Sequence, residues 1–336
     1  MLHLSALTNH HNTLLASQPD APPNVISPAL ESRPRVRIGD YNSITEIVAL
    51  LVEHGCNDLR LSLDAKSCTA RWKGELSDVY SGKLSPNGAP VAIKTTRPTY
   101  EQDQTSLKLA ARELHIWSKC SHSNVHELLG LAIYDHQLGM VSSFIENGDM
   151  KNYIAQNPNV DRYHLSVNLA EGLAYLHNIG IVHGDLKAVN VLVSGQGMPM
   201  MIDFGKADMR GCLIDFDVVL DDTYSLRWAA PELLEYEDDT TCSTAADVYA
   251  LGMTVLEIFT EQIPFHSIQS DVVVLKEVLV SRNIPPRPGH DILPHSGRGD
   301  ELWELLRRCW ANISADRPEI SEVLAVLRSV KLAVAS

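Results

Sequence analysis

The pattern of apolar residues changes character once along the chain, and that change restricts the fold more than any other feature. From about Asp58 to Glu101 the residues read as strands, with alternation around Val79 and Tyr80, an apolar run Val91–Ile93 and a turn, SPNG, at 85–88. A helical stretch follows at Thr105–Cys120, then further strands near Leu128–Tyr134 and Leu138–Phe144. Beyond Asn147 and Gly148 helical spacing dominates, and no internal repeat is visible. Strands gathered early and helices gathered late specify an α+β chain, a small antiparallel sheet with one helix joined to a mainly helical part.

Ahead of this pattern, residues 18–39 hold Pro19, Pro22, Pro23, Pro28 and Pro34, too many for a helix or a central strand, and read as a linker or disordered arm. Ser43 and Glu46 then form a capping box, Ile44, Ile47, Val48 and Leu51 keep helical spacing, and Gly55 is a natural stop. The expected organisation is an N-terminal extension, 1–57, and a main domain, 58–332. The short amphipathic helix of the extension docks either on that domain or on a regulatory partner.

Composition removes several classes of function. The 336 residues carry 28 Lys plus Arg against 42 Asp plus Glu, a formal net charge of −14, with no basic block to displace counterions from a nucleic acid. Apolar runs such as Ile44–Val52 and Tyr249–Phe259 fall far short of the roughly 20 residues of a membrane span. The N-terminus, MLHLSALTNHHNTLLAS, lacks a cationic start and an unbroken apolar stretch, so the expected setting is intracellular and cytoplasmic. Six scattered cysteines without a CxxC pair read as reduced thiols, and His122 and His126, with no third ligand nearby, read as structural rather than metal-binding.

Four short motifs carry the chemistry: VAIK at 91–94, HGDLKAVN at 183–190, DFG at 203–205 and APE at 230–232. In this order the chain resembles the protein kinase family. SLRWAAPELL at 225–234, DVYALGM at 247–253 and CWANISADRP at 309–318 look like the tyrosine-kinase-like group of serine/threonine kinases in particular. The resemblance implies a bilobal protein kinase fold, with an N-lobe at 58–145 and a C-lobe at 146–332. It implies ATP and magnesium between the lobes and transfer of the γ-phosphoryl group to serine or threonine hydroxyls of proteins. On this resemblance Lys94, held by Glu113, anchors the phosphates, Asp185 is the catalytic base and Lys187 steadies the transferring group. Asn190 and Asp203 are the metal ligands. Val79 and Ala92 cover the adenine, Leu192 underlies it, Ile145 meets its edge, Ser142 limits the back of the pocket and Gly74 belongs to the phosphate-covering loop. His183, Phe204 and Trp117 match an inter-lobe stack, Glu232 pairs with Arg317, and Asp247 braces the catalytic loop. Taken singly, these residues are also ordinary surface charges, turn formers and core residues.

Two departures from the family pattern bear on activity. Counting back from Val79, the loop positions normally held by three glycines are Trp72, Gly74 and Ser77, so only the middle glycine remains. Gly184 replaces the arginine that normally neutralises a phosphorylated activation segment, leaving phosphate on Thr223, Tyr224 or Ser225 without that partner. Activity is therefore expected to be independent of such phosphorylation. The acidic stretch Asp215–Asp222 favours a basic substrate peptide. The rival reading is a pseudokinase scaffold; a small-molecule kinase is disfavoured by APE, Asp247 and Arg317.

Overall fold

The computed structural model describes residues 36–39, 42–74, 77–97, 104–218, 225–235, 242–295 and 297–332. The chain enters through a short strand, β1 (Val36–Ile38), and a helix, α1 (Ile44–Glu53). Ser43 caps α1 reciprocally: its Oγ accepts the Glu46 N–H at 3.3 Å, and the Glu46 carboxylate accepts the Ser43 N–H at 2.7 Å. Three strands follow, β2 (Leu63–Lys73), β3 (Ser77–Leu84) and β4 (Ala89–Thr96), then α2 (Thr105–Trp117), β5 (Leu128–Tyr134) and β6 (Gln137–Ser143).

Strands β2 to β6 form one antiparallel sheet in the order β2-β3-β4-β6-β5. Successive side chains on a strand face opposite ways, and the register shows what each face does. Val91, Ile93 and Val141 are fully buried in a small apolar cluster on one face. Ala92 and Lys94, alternating with them on β4, belong to the other face.

The second lobe is mainly helical: α3 (Met150–Gln156), α4 (Arg162–Asn178), a loop region with β7 (Ile181–Val182), β8 (Val191–Val193) and β9 (Pro199–Met201), then β10 (Asp208–Met209) and β11 (Ile214–Phe216). It continues through α5 (Pro231–Leu234), α6 (Thr244–Thr260), α7 (Asp271–Leu279), α8 (Arg298–Cys309) and α9 (Ile320–Leu332). The α+β, two-lobed arrangement expected from the motifs is the one observed. Helix α6 is buried along nearly its whole length, as its run of apolar residues requires.

Two local expectations change. The helical stretch expected to reach Cys120 ends at Trp117, where Ser118 N–H turns back to the carbonyls of Leu114 and Ile116. The end of the proline-rich arm is not a free linker: Val36–Ile38 forms a parallel ladder with Ile214–Phe216. Pro34, the last proline, precedes that ladder, so every N–H the ladder needs is available. The short helix α1 packs on α2, burying Ile47, Val48 and Leu51 completely. His126 Nε2 meets the Ser143 carbonyl at 3.1 Å and His122 stacks on Tyr175, so both histidines are engaged structurally. All six cysteines are free thiols. Among the described residues no helix is long and apolar enough to cross a membrane.

Candidate active site

Lys94 lies on β4 directly opposite Val79 of β3 and Met140 of β6, and Val79 in turn opposes Trp72 of β2. Directly opposed residues share a face, so Trp72, Val79 and Lys94 form one row on the cleft side of the sheet. Ser81, Ala92 and Ser142 form the adjacent row. The strand pairing ends at Ser143, after which the Phe144 N–H still reaches the Pro90 carbonyl at 3.2 Å and Ile145 continues the connection between lobes. On the facing lobe Leu192 sits in β8, opposed by Met200.

The Lys94 ammonium contacts two carboxylates, Glu113 Oε1 of α2 at 2.8 Å and Asp203 Oδ1 at 2.7 Å. Burial disfavours the charged lysine, but Asp203 and Glu113 outweigh it and raise its pKa. Burial raises the pKa of Glu113 against the pull of Lys94. At Asp203 the same burial is overcome by Lys94, which holds the carboxyl down at about 2. Asp203 adopts a left-handed backbone with φ of 69°, a conformation that aspartate tolerates better than most side chains and that aims its carboxylate at the lysine.

A second cluster forms on the loop after β7. Lys187 Nζ lies 2.8 Å from Asp185 Oδ2 and 2.6 Å from Ser225 Oγ, while the Ser225 hydroxyl donates to Asp185 Oδ1 at 2.6 Å. Asn190 donates through Nδ2 to both the carbonyl and Oδ2 of Asp185, each at 2.8 Å, which leaves its amide oxygen for another partner. The Asn190 carbonyl accepts the Ile202 N–H at 3.0 Å, tying this loop to the segment that carries Asp203. Beneath the loop, Asp247 of α6 accepts the N–H groups of His183 and Gly184 at 2.8 and 2.9 Å and meets His177 Nε2 at 2.9 Å. Burial acts against its charge, and these partners lower its pKa nonetheless.

Two of the described residues have the donor chemistry of a magnesium site. Asp203 and the Asn190 amide oxygen are hard oxygen donors, the kind magnesium prefers, and magnesium takes its remaining ligands from phosphates and water rather than from a protein cage.

The inter-lobe stack is also present. Trp117 lies over Phe204 with ring centres 6.1 Å apart, and Phe204 lies 5.4 Å from His183. Arg317, its side chain fully buried, forms a two-pronged pair with Glu232 at 2.6 Å for each contact.

A family model of protein tyrosine and serine/threonine kinases matches residues 72–327. The chain belongs to the protein kinase family. Among curated relatives, it is 28% identical over 264 residues to the serine/threonine-protein kinase STY46 of Arabidopsis thaliana, covering 76% of this chain and 42% of that one. It is 27% identical over 259 residues to MAP3K epsilon protein kinase 1 of the same plant, covering 75% of this chain and 18% of that one. It is 29% identical over 283 residues to inactive tyrosine-protein kinase 7 of Homo sapiens, covering 77% of this chain and 24% of that one. The chain thus spans less than half the length of these relatives. The resemblance to the tyrosine-kinase-like group stands with that membership.

Three features of the site were not legible as such in the sequence. Ser225, considered above only as a position for phosphate, is hydrogen-bonded into the Asp185–Lys187 pair. It lies 40 residues from Asp185 and carries no local signal of that contact. Gly74 is explained by Trp72: a Cβ on Gly74 would sit 2.1 Å from the indole, so the ring that replaces the first loop glycine packs over the one that remains. At Gly184 the backbone has φ of 77°, and an added Cβ would meet the Lys206 carbonyl oxygen at 2.6 Å, so a side chain there presses on the turn that follows residues 203–205.

Proposed function

We propose that this chain is an ATP-dependent protein serine/threonine kinase. The observation that carries the reading is the pair of lysine–carboxylate clusters, Lys94 with Glu113 and Asp203 and Lys187 with Asp185, whose two segments are tied by the Ile202 N–H to Asn190 carbonyl bond. In this reading Lys94, fixed by Glu113, binds the α and β phosphates, and Val79 and Ala92, from two adjacent rows of the sheet, cover the adenine from above while Leu192 lies below it and its edge meets the backbone at Ile145. Ser142, a small side chain, leaves the back of the pocket open, and Gly74 lets the loop backbone approach phosphate. Asp203 and Asn190 hold magnesium, which when bound neutralises charge developing on the phosphate oxygens. Asp185 accepts the proton of the attacking hydroxyl, and Lys187 balances negative charge on the group in transfer. Lys187, two positions after Asp185, supports serine and threonine over tyrosine as acceptors, as do two relatives that are named serine/threonine-protein kinases.

A specific feature favours the scaffold alternative, since two of three loop glycines are lost and one group of relatives is named inactive. Against it, Lys94, Asp185, Asn190 and Asp203 are all retained. The deciding measurement is phosphate transfer from labelled ATP with magnesium to a generic basic protein and to the chain itself, beside Asp185→Asn, with acid hydrolysis of the product. The expected outcome is label on serine or threonine that falls by about 10²-fold or more in the variant. No label, with no change in thermal stability when ATP and magnesium are added, decides for the scaffold.

A further inference from the structure

The proposed reaction leaves residues 36–59 unused, yet their described part touches the 213–217 segment, the helix that bears Glu113 and strand β5. The Val36 N–H donates to the Leu213 carbonyl at 3.0 Å and the Asp217 N–H to the Ile38 carbonyl at 3.1 Å, flanking the ladder of β1 on β11. Arg37 pairs with Asp217 at 2.8 Å, and Ile38 is fully buried. The Asp217 carbonyl also accepts Lys108 Nζ of α2 at 2.6 Å. Helix α1 then covers α2, Lys119 donates to the His54 carbonyl, and the chain crosses to the sheet through Leu131 N–H to Asn57 and Leu59 N–H to Leu131, both at 2.8 Å. Residues 36–39 and 42–59 therefore clamp the activation segment, the helix bearing Glu113 and strand β5.

Such a clamp has a task in this chain. Gly184 stands where an arginine would draw in a phosphorylated activation segment, and a glycine offers no charge. The segment at 213–217 is instead ordered by a backbone ladder, a buried Ile38 and two cations, Arg37 and Lys108. Because Lys108 and Glu113 lie on the same helix, whatever fixes 213–217 against α2 also fixes where Glu113 meets Lys94. We propose that residues 36–53 are a built-in positioning element that holds the activation segment and α2 in the arrangement joining Lys94 to Glu113, in the role that activation-segment phosphate plays elsewhere. The rate consequence rests on the kinase reading; the positioning itself does not.

The test uses the full chain. Ile38→Asp places a charge in a buried site and should accelerate amide exchange in residues 105–117 and 213–217 by about tenfold or more while leaving α6 and α9 unchanged. It should lower kcat by a similar factor with little change in KM for peptide. Should that variant fail to fold, the exposed ion pair decides: Arg37→Glu and Asp217→Arg should each lower kcat about two- to fivefold, and the double exchange should restore both kcat and exchange protection. Thr223→Ala with Tyr224→Phe should keep kcat within about twofold of the parent. Unchanged exchange in both segments, or no recovery in the double variant, overturns the positioning role; a large loss in the Thr223 and Tyr224 variant overturns its substitution for phosphate. If the parent chain transfers no phosphate, the kinase reading fails on the Asp185→Asn comparison alone, and the exchange measurements still decide the clamp.

Discussion

Ser225 illustrates how a single hydroxyl can be read two ways. In sequence it lies in the activation segment beside Thr223 and Tyr224 and so looks like a target for phosphate. In the fold it donates to Asp185 Oδ1 and accepts from Lys187, so a phosphate there would confront the Asp185 carboxylate. Hydrogen bonds to charged groups contribute about 1.5–3 kcal/mol, which corresponds to about 10- to 100-fold in rate if the bonds orient Asp185 for proton transfer. Ser225→Ala is accordingly expected to lower kcat within that range, and Ser225→Thr, which keeps the hydroxyl, to stay near the parent. Steady-state kinetics on both variants checks this, and an Ala variant as active as the parent sinks it. Asp203 shows the same lesson in another form. Its motif was readable, but the left-handed backbone that aims its carboxylate at Lys94 has no signature in three letters.

At the level of elements, the sequence disclosed whatever rests on local periodicity or on motif spacing. The capping box of α1 and the strands around Val79 and Val91 belong to that class, whereas the Lys94–Glu113 and Glu232–Arg317 pairs are implied by the family resemblance. The ladder of β1 on β11 belongs to neither, because its three residues find their partners far along the chain and a parallel pair needs no turn signal between its strands. Helix α2 is where the two kinds of information meet. His115 on α2 is buried 5.8 Å from Phe216 of β11 and 6.1 Å from His54, and its Nδ1 has no hydrogen-bond partner among the described residues. Burial, aided by Lys119 and His54, lowers its pKa from 6.5 to about 4. Between those values the unfolded chain binds a proton that the folded chain refuses, so stability is full above pH 6.5 and falls as the pH drops toward 4. The loss over that window is on the order of 3 kcal/mol. His115→Leu should therefore flatten the decline of unfolding free energy between pH 7 and about 4.5 relative to the parent, measured by urea titration at each pH. Parallel curves for the two proteins exclude His115 as the cause.

Across the whole molecule, the two lobes are not two separate cores. The small cluster around Val91 and Ile93 is confined to one face of the sheet, whereas the large cluster runs from Ile47 and Leu51 of α1 through Leu114 and Trp117 of α2 to Phe204 and on to Val248 and Leu251 of α6. Trp117 is the joint: it is 4% exposed, its indole N–H donates to the His126 carbonyl at 2.6 Å, and its ring contacts Phe204, which contacts His183 over Asp247. A core continuous through that joint predicts that both lobes unfold together, even though a chain of 336 residues exceeds the size at which one transition is the rule. Trp117→Ala removes the joint and leaves a cavity, at a cost of about 3–5 kcal/mol. The cost should fall unevenly, since the helices of the second lobe keep their own contacts while α2 and the sheet lose their anchor. In urea, the parent should show coincident transitions by far-ultraviolet circular dichroism and tryptophan fluorescence, and Trp117→Ala should show an earlier transition for the sheet-containing lobe. On the proposed function, adding ATP with magnesium should shift that earlier step upward. Two separate transitions in the parent chain would mean that Trp117 and Phe204 touch without coupling the lobes, and the positioning of Glu113 would then have to rest on the residue 36–53 clamp alone.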